Sequence, residues 1–519
     1  MCPVTLFRQF STLGHGEQPT IQKRNSDLAE SHADPLQKDD PRRPVSTVGK
    51  HIVSPPDRRI WLVAVLAVTA VGLRLAAARG DLVMDEIWSM LLGAETGSVW
   101  QIVMLNHDNN HILNTLVMYW LGIDAPLLAY RLPAVLAGSI GLWLAVRVAG
   151  RSQRGAGLPA LVLLGFSHLA ILYSSEARGY AYLMGATPAA WWAIEAHIER
   201  PRLVTACAFI LAVVLGFLAH LTFLFAYAGF FVYSAIHLLP RRNGLARLTT
   251  LHLIPVLTCA LLYFLYVQGM RIGGGELAAV LSTIVAALSL MGGGPQFGWG
   301  AYTAAIITAV LIAIAVAGEF RLNRPRGVLY LVAILVAPTL VLAVRSHEFL
   351  YPRYFLVPML FGYVAIGCQL ARWFQLGRTG RNAVVTLLAV YVGCNLVPVV
   401  RLIELGRGQY TAAVRWLAEH TPGPIVEVNG DHDFRNPLVA QYHAARLPEF
   451  NPATGKRLVY FKVAQVPPQG TEWLLRHTFD GDNPLPAELT DRLGVRYELK
   501  KSFPAGSISG WDWWVYRRR

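Results

Sequence analysis

The chain has 519 residues, of which 54% are hydrophobic and only 15% are charged. So few charged side chains cannot cover a water-soluble globule of this size, and the composition indicates a membrane protein. It excludes a soluble enzyme, a disordered protein and, with five cysteines, a disulfide-built scaffold. The net charge of +14 lies in short basic clusters between apolar runs, which is typical of membrane topology and not of nucleic-acid binding.

Residues 1–59 are polar, contain several prolines and show no apolar periodicity, so we expect a disordered tail. They lack the uninterrupted apolar core and small-residue cleavage site of a signal peptide. The first apolar segment is therefore predicted to stay in the membrane.

Residues 60–400 contain apolar runs that approach or exceed the roughly 20 residues needed to cross a bilayer. We predict a transmembrane domain of eleven helices. The predicted spans are residues 60–78, 125–149, 158–173, 180–198, 203–219, 222–239, 251–269, 301–318, 328–344, 355–371 and 383–400.

Basic residues test this count, because every second connection should be rich in arginine and lysine. The basic clusters do fall in alternate connections, which predicts a cytoplasmic N-terminus and an extracytoplasmic C-terminus. The apolar stretch 112–122 is too short to span, and counting it would invert the alternation, so we expect it to lie along the outer surface. The clusters are Arg58/Arg59, Arg151/Arg154, Arg200/Arg202, Arg241/Arg242/Arg247, Arg321/Arg324/Arg326 and Arg372/Arg378/Arg381.

Residues 401–519 have the composition of a small soluble α/β domain, which this topology places outside the cell. Helices are predicted at 411–420 and 487–493, and strands at 424–428, 458–463, 495–503 and 511–516. No internal repeat is visible, which counts against the repeat-built transporter folds.

The first outer loop, residues 79–124, contains the adjacent carboxylates Asp85 and Glu86. Two carboxylates near the lipid boundary repel each other and lose hydration, so one of them can keep a raised pKa and act as a general base. The alternative interpretation is that Asp85 caps a helix beginning near Glu86.

The same loop contains a dense polar segment, Asn106 to Asn114. Polar groups beside lipid cost free energy unless they are paired, so this density indicates a hydrated cleft or a solvated loop. Asp108 and His111 are candidates for substrate hydrogen bonds. His107 and His111 are four residues apart and, with Asp108, form an alternative candidate metal site.

Two arginines, Arg178 and Arg353, lie on the predicted outer face, which should be poor in arginine. Each needs an anion. For Arg178 the local candidate is Glu176, and the functional candidate is a lipid-linked phosphate, which guanidinium groups bind bidentately. His220 lies at another outer bend, where a structural role is the default interpretation.

Four segments together resemble the GT-C superfamily of membrane glycosyltransferases, and more closely its protein O-mannosyltransferase and aminoarabinose-transferase-like branch. They are Asp85-Glu86, Asp108 to Asn114, Glu176 to Tyr180 and Pro352-Arg353-Tyr354. The resemblance covers residues 60–400. It departs from the family after His111, where Ile112 replaces the usual proline and changes the local backbone.

The resemblance implies an inverting transfer of a sugar from a polyprenyl-phosphate donor to a hydroxyl acceptor at the extracytoplasmic face. By similarity Asp85 is the catalytic base and Glu86 its neighbour in the acidic pair. Arg178 and Arg353 stabilise the phosphate charge, while Asp108 and His111 match a second loop motif. Tyr180, His220 and Tyr354 complete the expected substrate-binding set.

The resemblance further implies that no nucleotide sugar and no cofactor are required, with a divalent cation as the alternative. The expected partners are the lipid bilayer, the donor, and an envelope glycan, lipid or protein acceptor, but no nucleic acid. One competing interpretation is a transporter or flippase of a lipid-linked saccharide, which should carry its ionisable residues near the middle of spans. A second is a noncatalytic assembly or binding protein. The C-terminal domain is expected to recognise the acceptor or cover the site, with Trp511, Trp513 and Trp514 either stacking on sugars or forming its core.

Overall fold

The computed structural model describes residues 58–271, 279–344, 350–451, 455–479, 484–506 and 508–519. The predicted N-terminal tail therefore lies outside the described residues, except for Arg58 and Arg59, which begin the first helix.

The described chain is mostly helical, with a small sheet at its C-terminal end. The helices are α1 (Arg58–Ala77), α2 (Met84–Glu95), α3 (Val99–Val103), α4 (Ile112–Leu121), α5 (Leu127–Ser152), α6 (Gly157–Phe166), α7 (His168–Ser174), α8 (Gly179–Glu199), α9 (Leu203–Ala219), α10 (Phe223–Leu238), α11 (Gly244–Leu262), α12 (Val280–Met291), α13 (Gly298–Leu322), α14 (Arg324–Leu331), α15 (Ala337–Val344), α16 (Leu356–Phe374), α17 (Arg378–Leu405), α18 (Tyr410–His420) and α19 (Arg435–Ala444). Short π-helical segments, Tyr263–Val267 and Val332–Val336, extend α11 and join α14 to α15.

Seven helical segments of the described chain are long and apolar enough to cross a membrane, or eight if the bent pair α6 and α7 counts as one span. Four further apolar helices, α4, α9, α10 and α12, are shorter. The protein is therefore a multi-pass membrane protein, while the predicted count of eleven spans is not confirmed. The helix α4 forms where the short apolar stretch was predicted, and its orientation relative to the bilayer stays a prediction.

The bend between α6 and α7 measures 66° and exposes backbone groups in an apolar region. Buried side chains bind these groups, as the absence of water in a bilayer requires. Arg74 of α1 donates to the carbonyl oxygens of Leu164 and Gly165, at 3.0 and 3.1 Å. Asn395 of α17 accepts from the backbone N–H of His168 at 2.8 Å. After the bend, α7 leads to Ala177, whose backbone binds Asn114 and Glu86 of the first outer loop; we call this end of the helices the polar end.

The predicted cytoplasmic connections meet at one end of the helices. Arg151, at the end of α5, pairs with Glu199, at the end of α8, at 2.6 Å. Glu319, near the end of α13, pairs with Arg372 of α16 at 2.5 Å and lies 3.9 Å from Arg326 of α14. The side of the membrane that this end faces stays a prediction.

Within the described residues, the C-terminal sheet has six strands: β1 (Ile425–Gly430), β2 (Arg457–Phe461), β3 (Trp473–Thr478), β4 (Glu488–Thr490), β5 (Arg496–Phe503) and β6 (Asp512–Arg518). Their order is β2-β1-β3-β6-β5-β4. Strand β1 runs parallel to β2 and β3, and the pairs β3/β6, β6/β5 and β5/β4 are antiparallel. The prediction of a helix at 487–493 is wrong, because Leu489 pairs with Tyr497 in an antiparallel ladder.

The sheet domain shares a hydrophobic core with the first outer loop. Ile87 and Met90 of α2 pack in one buried cluster with Val414 of α18. The carboxylate of Asp81 accepts hydrogen bonds from the backbone N–H and the hydroxyl of Thr411, at 2.6 and 2.7 Å. The C-terminal domain is therefore packed on the polar end of the helices. It closes over the residues that the sequence places on the outer face.

Candidate active site

A cavity of about 720 Å³ lies between the polar end of the helices and the C-terminal domain. Eight of the nine predicted site residues line it, although they are distributed from the first outer loop to the start of α16. They are Asp85, Asp108, His111, Arg178, Tyr180, His220, Arg353 and Tyr354. The ninth, Glu86, is not among the lining residues.

Asp85 faces the cavity from the first turn of α2. Its Oδ2 atom lies 2.7 Å from Nη1 of Arg178 and 3.9 Å from Nη2 of Arg353. The interpretation of Asp85 as a helix cap is wrong, because α2 begins at Met84. The carboxylate is instead held between two guanidinium groups from distant parts of the chain.

Glu86 serves the fold and not the cavity. Its carboxylate is fully buried and binds Arg131 of α5 through two hydrogen bonds, of 2.8 and 2.6 Å. It also accepts from the backbone N–H groups of Val83 and Ala177. Burial by itself would raise the pKa of Glu86, but the arginine and the hydrogen bonds outweigh it and hold that pKa at about 2. Glu86 is therefore not the carboxylate with a raised pKa that we expected in this pair.

Arg178 is the N-cap residue of α8 and is almost fully buried. The prediction that Glu176 is its local partner is wrong: Glu176 pairs with Arg407 at 3.4 Å, whereas Arg178 pairs with Asp85. Nη2 of Arg178 lies 3.3 Å from both the Asn109 side-chain oxygen and Nε2 of His111. Burial opposes the charge of Arg178, yet the carboxylate of Asp85 raises its pKa above the ordinary value.

Arg353 enters the cavity from the short helical turn Pro352–Phe355 that precedes α16. Its guanidinium carbon lies 4.3 Å from the ring centre of Tyr351 and 5.9 Å from that of Tyr354. Arg178 lies similarly over Tyr180, at 5.1 Å. The aromatic faces attract both cations, in addition to the carboxylate of Asp85. Within the described chain, the Nε atoms of both arginines have no hydrogen-bond partner.

His111 and His220 stack in the cavity wall, with ring centroids 5.0 Å apart. Burial, the neighbouring His220 and the two arginines lower the pKa of His111 well below its ordinary value. Burial and the same arginines lower the pKa of His220 to about 3. Both rings are therefore neutral at neutral pH. Nδ1 of His220 accepts from the backbone N–H of Thr222 at 3.1 Å, so its proton is assigned to Nε2.

The second loop motif does not form the alternative metal site. His107 packs edge-to-face on Trp88 and lies 3.0 Å from the Asp108 carboxylate, whereas His111 faces Arg178 and His220. Among the residues that the structure describes, no group of three or more metal-ligating side chains is suitably arranged. The replacement of the family's proline by Ile112 still leaves His111 in the cavity wall.

Sequence reasoning missed part of the cavity. Glu176 was considered only as a partner for Arg178, and the structure places it in the lining. Its partner Arg407, fully buried just after α17, binds the Ser175 hydroxyl at 2.7 Å. Ser509 of the C-terminal domain donates to Glu176 from the opposite side. The proximity of Glu176 to Arg178 was the available sequence signal, and neither Arg407 nor Ser509 had one.

The fold and the cavity define a multi-pass helical membrane protein with a buried, cation-rich site beneath a small α/β domain. No protein-family model and no curated protein matches the chain. Its structure is similar to two crystal structures of ArnT from Cupriavidus metallidurans, one bound to undecaprenyl phosphate and one in the apo state.

The undecaprenyl phosphate complex has 14% sequence identity and a TM-score of 0.47, and the apo structure has 13% identity and a TM-score of 0.48. Each match covers 82% of this chain and 94% of the ArnT chain.

Proposed function

We propose that this protein is an inverting glycosyltransferase that moves a sugar from a polyprenyl phosphate to a hydroxyl acceptor at the extracytoplasmic membrane face. The acceptor oxygen attacks the anomeric carbon while Asp85 removes the hydroxyl proton. The bond from that carbon to the phosphate oxygen breaks, and the polyprenyl phosphate leaves as an anion. The acceptor is an envelope glycan, a lipid or a protein.

The observation that carries this proposal is the meeting of one carboxylate with two guanidinium groups in the cavity. Arg178 and Arg353 both lie within 4.0 Å of Asp85, and their Nε atoms have no partner within the described chain. They can therefore donate to phosphate oxygens and stabilise the charge that develops on the leaving group. Asp85 is suitably placed beside that charge to accept the proton of the attacking hydroxyl.

A second, smaller cavity supports a lipid-linked donor. It measures about 170 Å³ and shares His111, His220 and Tyr354 with the large cavity. Its remaining wall is largely apolar, with Phe217 and Leu262 among the lining residues. From the phosphate site, a prenyl chain would extend along this apolar wall into the lipid, because contact with apolar surface removes the chain from water.

The proposed reaction requires no cofactor, because the two arginines supply the positive charge opposite the phosphate. A divalent cation is the alternative. Turnover that survives EDTA supports the arginines as sufficient, and turnover that EDTA abolishes and Mg²⁺ or Mn²⁺ restores supports the cation.

Asp85→Asn tests the role of the base. A strain lacking the protein should accumulate one polyprenyl-phosphate sugar and lose one envelope glycan modification, both measured by mass spectrometry. The Asp85→Asn variant should bind the donor yet reduce turnover by about 10²- to 10⁴-fold, and so fail to restore the modification.

Asp124→Asn is the matched control, because Asp124 is an exposed carboxylate of the same outer loop. It should restore the modification fully. Full restoration by Asp85→Asn would refute the base assignment, and a deletion strain with unchanged glycans and donors would count against the transferase itself.

A further inference from the structure

The C-terminal domain contributes a wall of the active-site cavity that the proposed reaction does not use. Arg435, the first residue of α19, lines the cavity with Phe479, which follows β3, and Trp511, which precedes β6. Trp88 of α2 lines the same cavity and packs edge-to-face on Phe434, with ring centroids 4.8 Å apart. The wall therefore combines aromatic rings with one guanidinium group.

Arg435 has polar contact on one side only. Its Nη1 atom lies 3.4 Å from Nε2 of His477, and its guanidinium carbon lies 5.2 Å from the ring centre of Phe479. No ion pair among the described residues includes Arg435; the carboxylate of Asp431 pairs instead with Arg476 and His477. A cation at the first position of a helix also opposes the helix dipole, so helix stability does not explain it.

A carboxylate and a histidine orient Arg435. Nδ1 of His477 lies 2.8 Å from Asp431, whose other oxygen accepts from the backbone N–H of His477 at 3.1 Å. Burial opposes the charge of Asp431, but the bonds from His477 and the charge of Arg476 lower its pKa below the ordinary value. Ionised Asp431 therefore assigns the proton to Nδ1 and leaves Nε2 to accept from Arg435. Asp431 and His477 are positioning residues for this guanidinium group.

Trp511 supplies an unsatisfied hydrogen-bond donor in the same wall. Its side chain is buried, its ring lies 5.6 Å from that of His477, and its indole N–H has no partner within the described chain. Buried donors are nearly always paired, since an unpaired one costs free energy. Trp513, by contrast, is fully buried in the domain core and donates to Asn436. Of the three tryptophans considered in the sequence, Trp511 is the one that reaches the cavity.

We infer that Arg435, Trp511, Phe479 and Trp88 form an acceptor subsite for a saccharide that carries an anionic group. This inference rests on the proposed function. Sugar rings stack on aromatic faces, the indole N–H donates to a sugar oxygen, and the guanidinium group binds a carboxylate or phosphate bidentately. The donor phosphate already has Arg178 and Arg353, so a third cation from another domain indicates a second anionic ligand.

Binding of three monosaccharides tests the subsite in the full-length protein held in lipid nanodiscs. Saturation-transfer NMR would compare glucose, glucuronate and glucose 6-phosphate, which share one ring and differ in charge. We expect both anions to bind more tightly than glucose, and the tighter of the two identifies the preferred anion. Arg435→Gln should weaken that binding about tenfold or more, and Trp511→Phe, which keeps one aromatic ring but removes the indole N–H, should weaken it less.

Two controls keep the outcome decisive. Arg415→Gln removes an exposed arginine of the same domain that pairs with Glu449, and it should bind the anions like the wild type. Saturating undecaprenyl phosphate should not displace them. Displacement would assign Arg435 to the donor site and overturn the inference. The inference would also be overturned if a folded Arg435→Gln variant bound the anions with wild-type affinity, or if the wild type did not bind them. Failure of the wild type to bind undecaprenyl phosphate would instead count against the proposed function.

Discussion

Asp85 and Glu86 are adjacent in the chain, yet their carboxylates bind different arginines, Arg178 and Arg131. Glu86 also accepts from the backbone N–H of Ala177 at 2.8 Å, so it fixes the residue that precedes Arg178. The turn of α2 that presents the proposed base thereby also positions its guanidinium partner. Under the proposed function, the acidic pair therefore divides into Asp85, which acts as the base, and Glu86, which aligns the site.

Glu86→Gln is expected to destabilise the protein strongly. The substitution leaves Arg131 buried with an uncompensated charge, and loss of one partner of a buried pair costs about 3–5 kcal/mol. The free energy of unfolding, measured by denaturant titration in detergent, should fall by about this amount.

Glu95→Gln, at the exposed end of the same helix, is the control and should change stability little. Replacing both partners, as in Glu86→Met with Arg131→Met, should recover part of the loss because no buried charge remains. Equal stability of the Glu86→Gln and Glu95→Gln variants would contradict the structural role of Glu86.

Arg178→Gln is expected to weaken binding of undecaprenyl phosphate by about 10- to 100-fold, because hydrogen bonds between charged groups contribute about 1.5–3 kcal/mol. The affinity of Arg178→Lys for the lipid should lie between those of Arg178→Gln and the wild type, since lysine keeps the charge but loses the bidentate geometry. Native mass spectrometry of the protein titrated with the lipid measures both.

Arg401→Gln is the matched control for charge, because Arg401 is exposed on α17 near the same end of the helices. It should bind the lipid like the wild type. Were the Arg178→Gln and Arg401→Gln variants to bind equally well, Arg178 would not contact the donor phosphate.

The sequence predicted which residues form the site better than it predicted their ion-pair partners. The polar residues predicted at the outer ends of apolar segments do line one cavity. The predicted partner of Arg178 is wrong, because sequence proximity favoured Glu176, whereas the ion pair joins Arg178 to Asp85. Arg407 gave no signal at all, because a buried ion pair with Glu176 across more than 200 residues depends on tertiary packing.

The C-terminal domain shows the same limit. Strand β1 and helix α18 were predicted because their apolar periodicity matches their burial. Helix α19 and strand β3 were missed, although β3 lies in the middle of the sheet. Segment 487–493 has leucines at helical spacing, yet its pairing with β5 makes it a strand. Tertiary pairing overrides local propensity in such short segments.

Stability should fall as the pH falls from about 6.5, because His220 is buried in its neutral form. Its pKa is about 3 in the folded protein and 6.5 when unperturbed, so between these values the unfolded chain binds a proton that the folded protein does not. The contribution of neutral His220 to the free energy of unfolding is complete above pH 6.5 and is lost progressively toward pH 3. Thermal unfolding midpoints between pH 8 and pH 5 measure the slope.

His220→Asn should flatten this slope, since the Asn side-chain oxygen can replace Nδ1 as the acceptor for Thr222 and carries no titratable proton. His420→Asn, at an exposed histidine, should keep the wild-type slope. An unchanged slope in the His220→Asn variant would show that the ring does not resist protonation in the folded state.

The orientation of the protein decides whether the proposed chemistry occurs outside the cell. Asp124, in the first outer loop, and Arg200, between α8 and α9, are both exposed and are predicted to lie on opposite sides of the membrane. In a variant with its five native cysteines replaced, Asp124→Cys should react with a membrane-impermeant maleimide in intact cells. Arg200→Cys should react only after the membrane is permeabilised. The reverse pattern would place the cavity on the cytoplasmic side, where the donor head group and acceptor of this proposal are not presented.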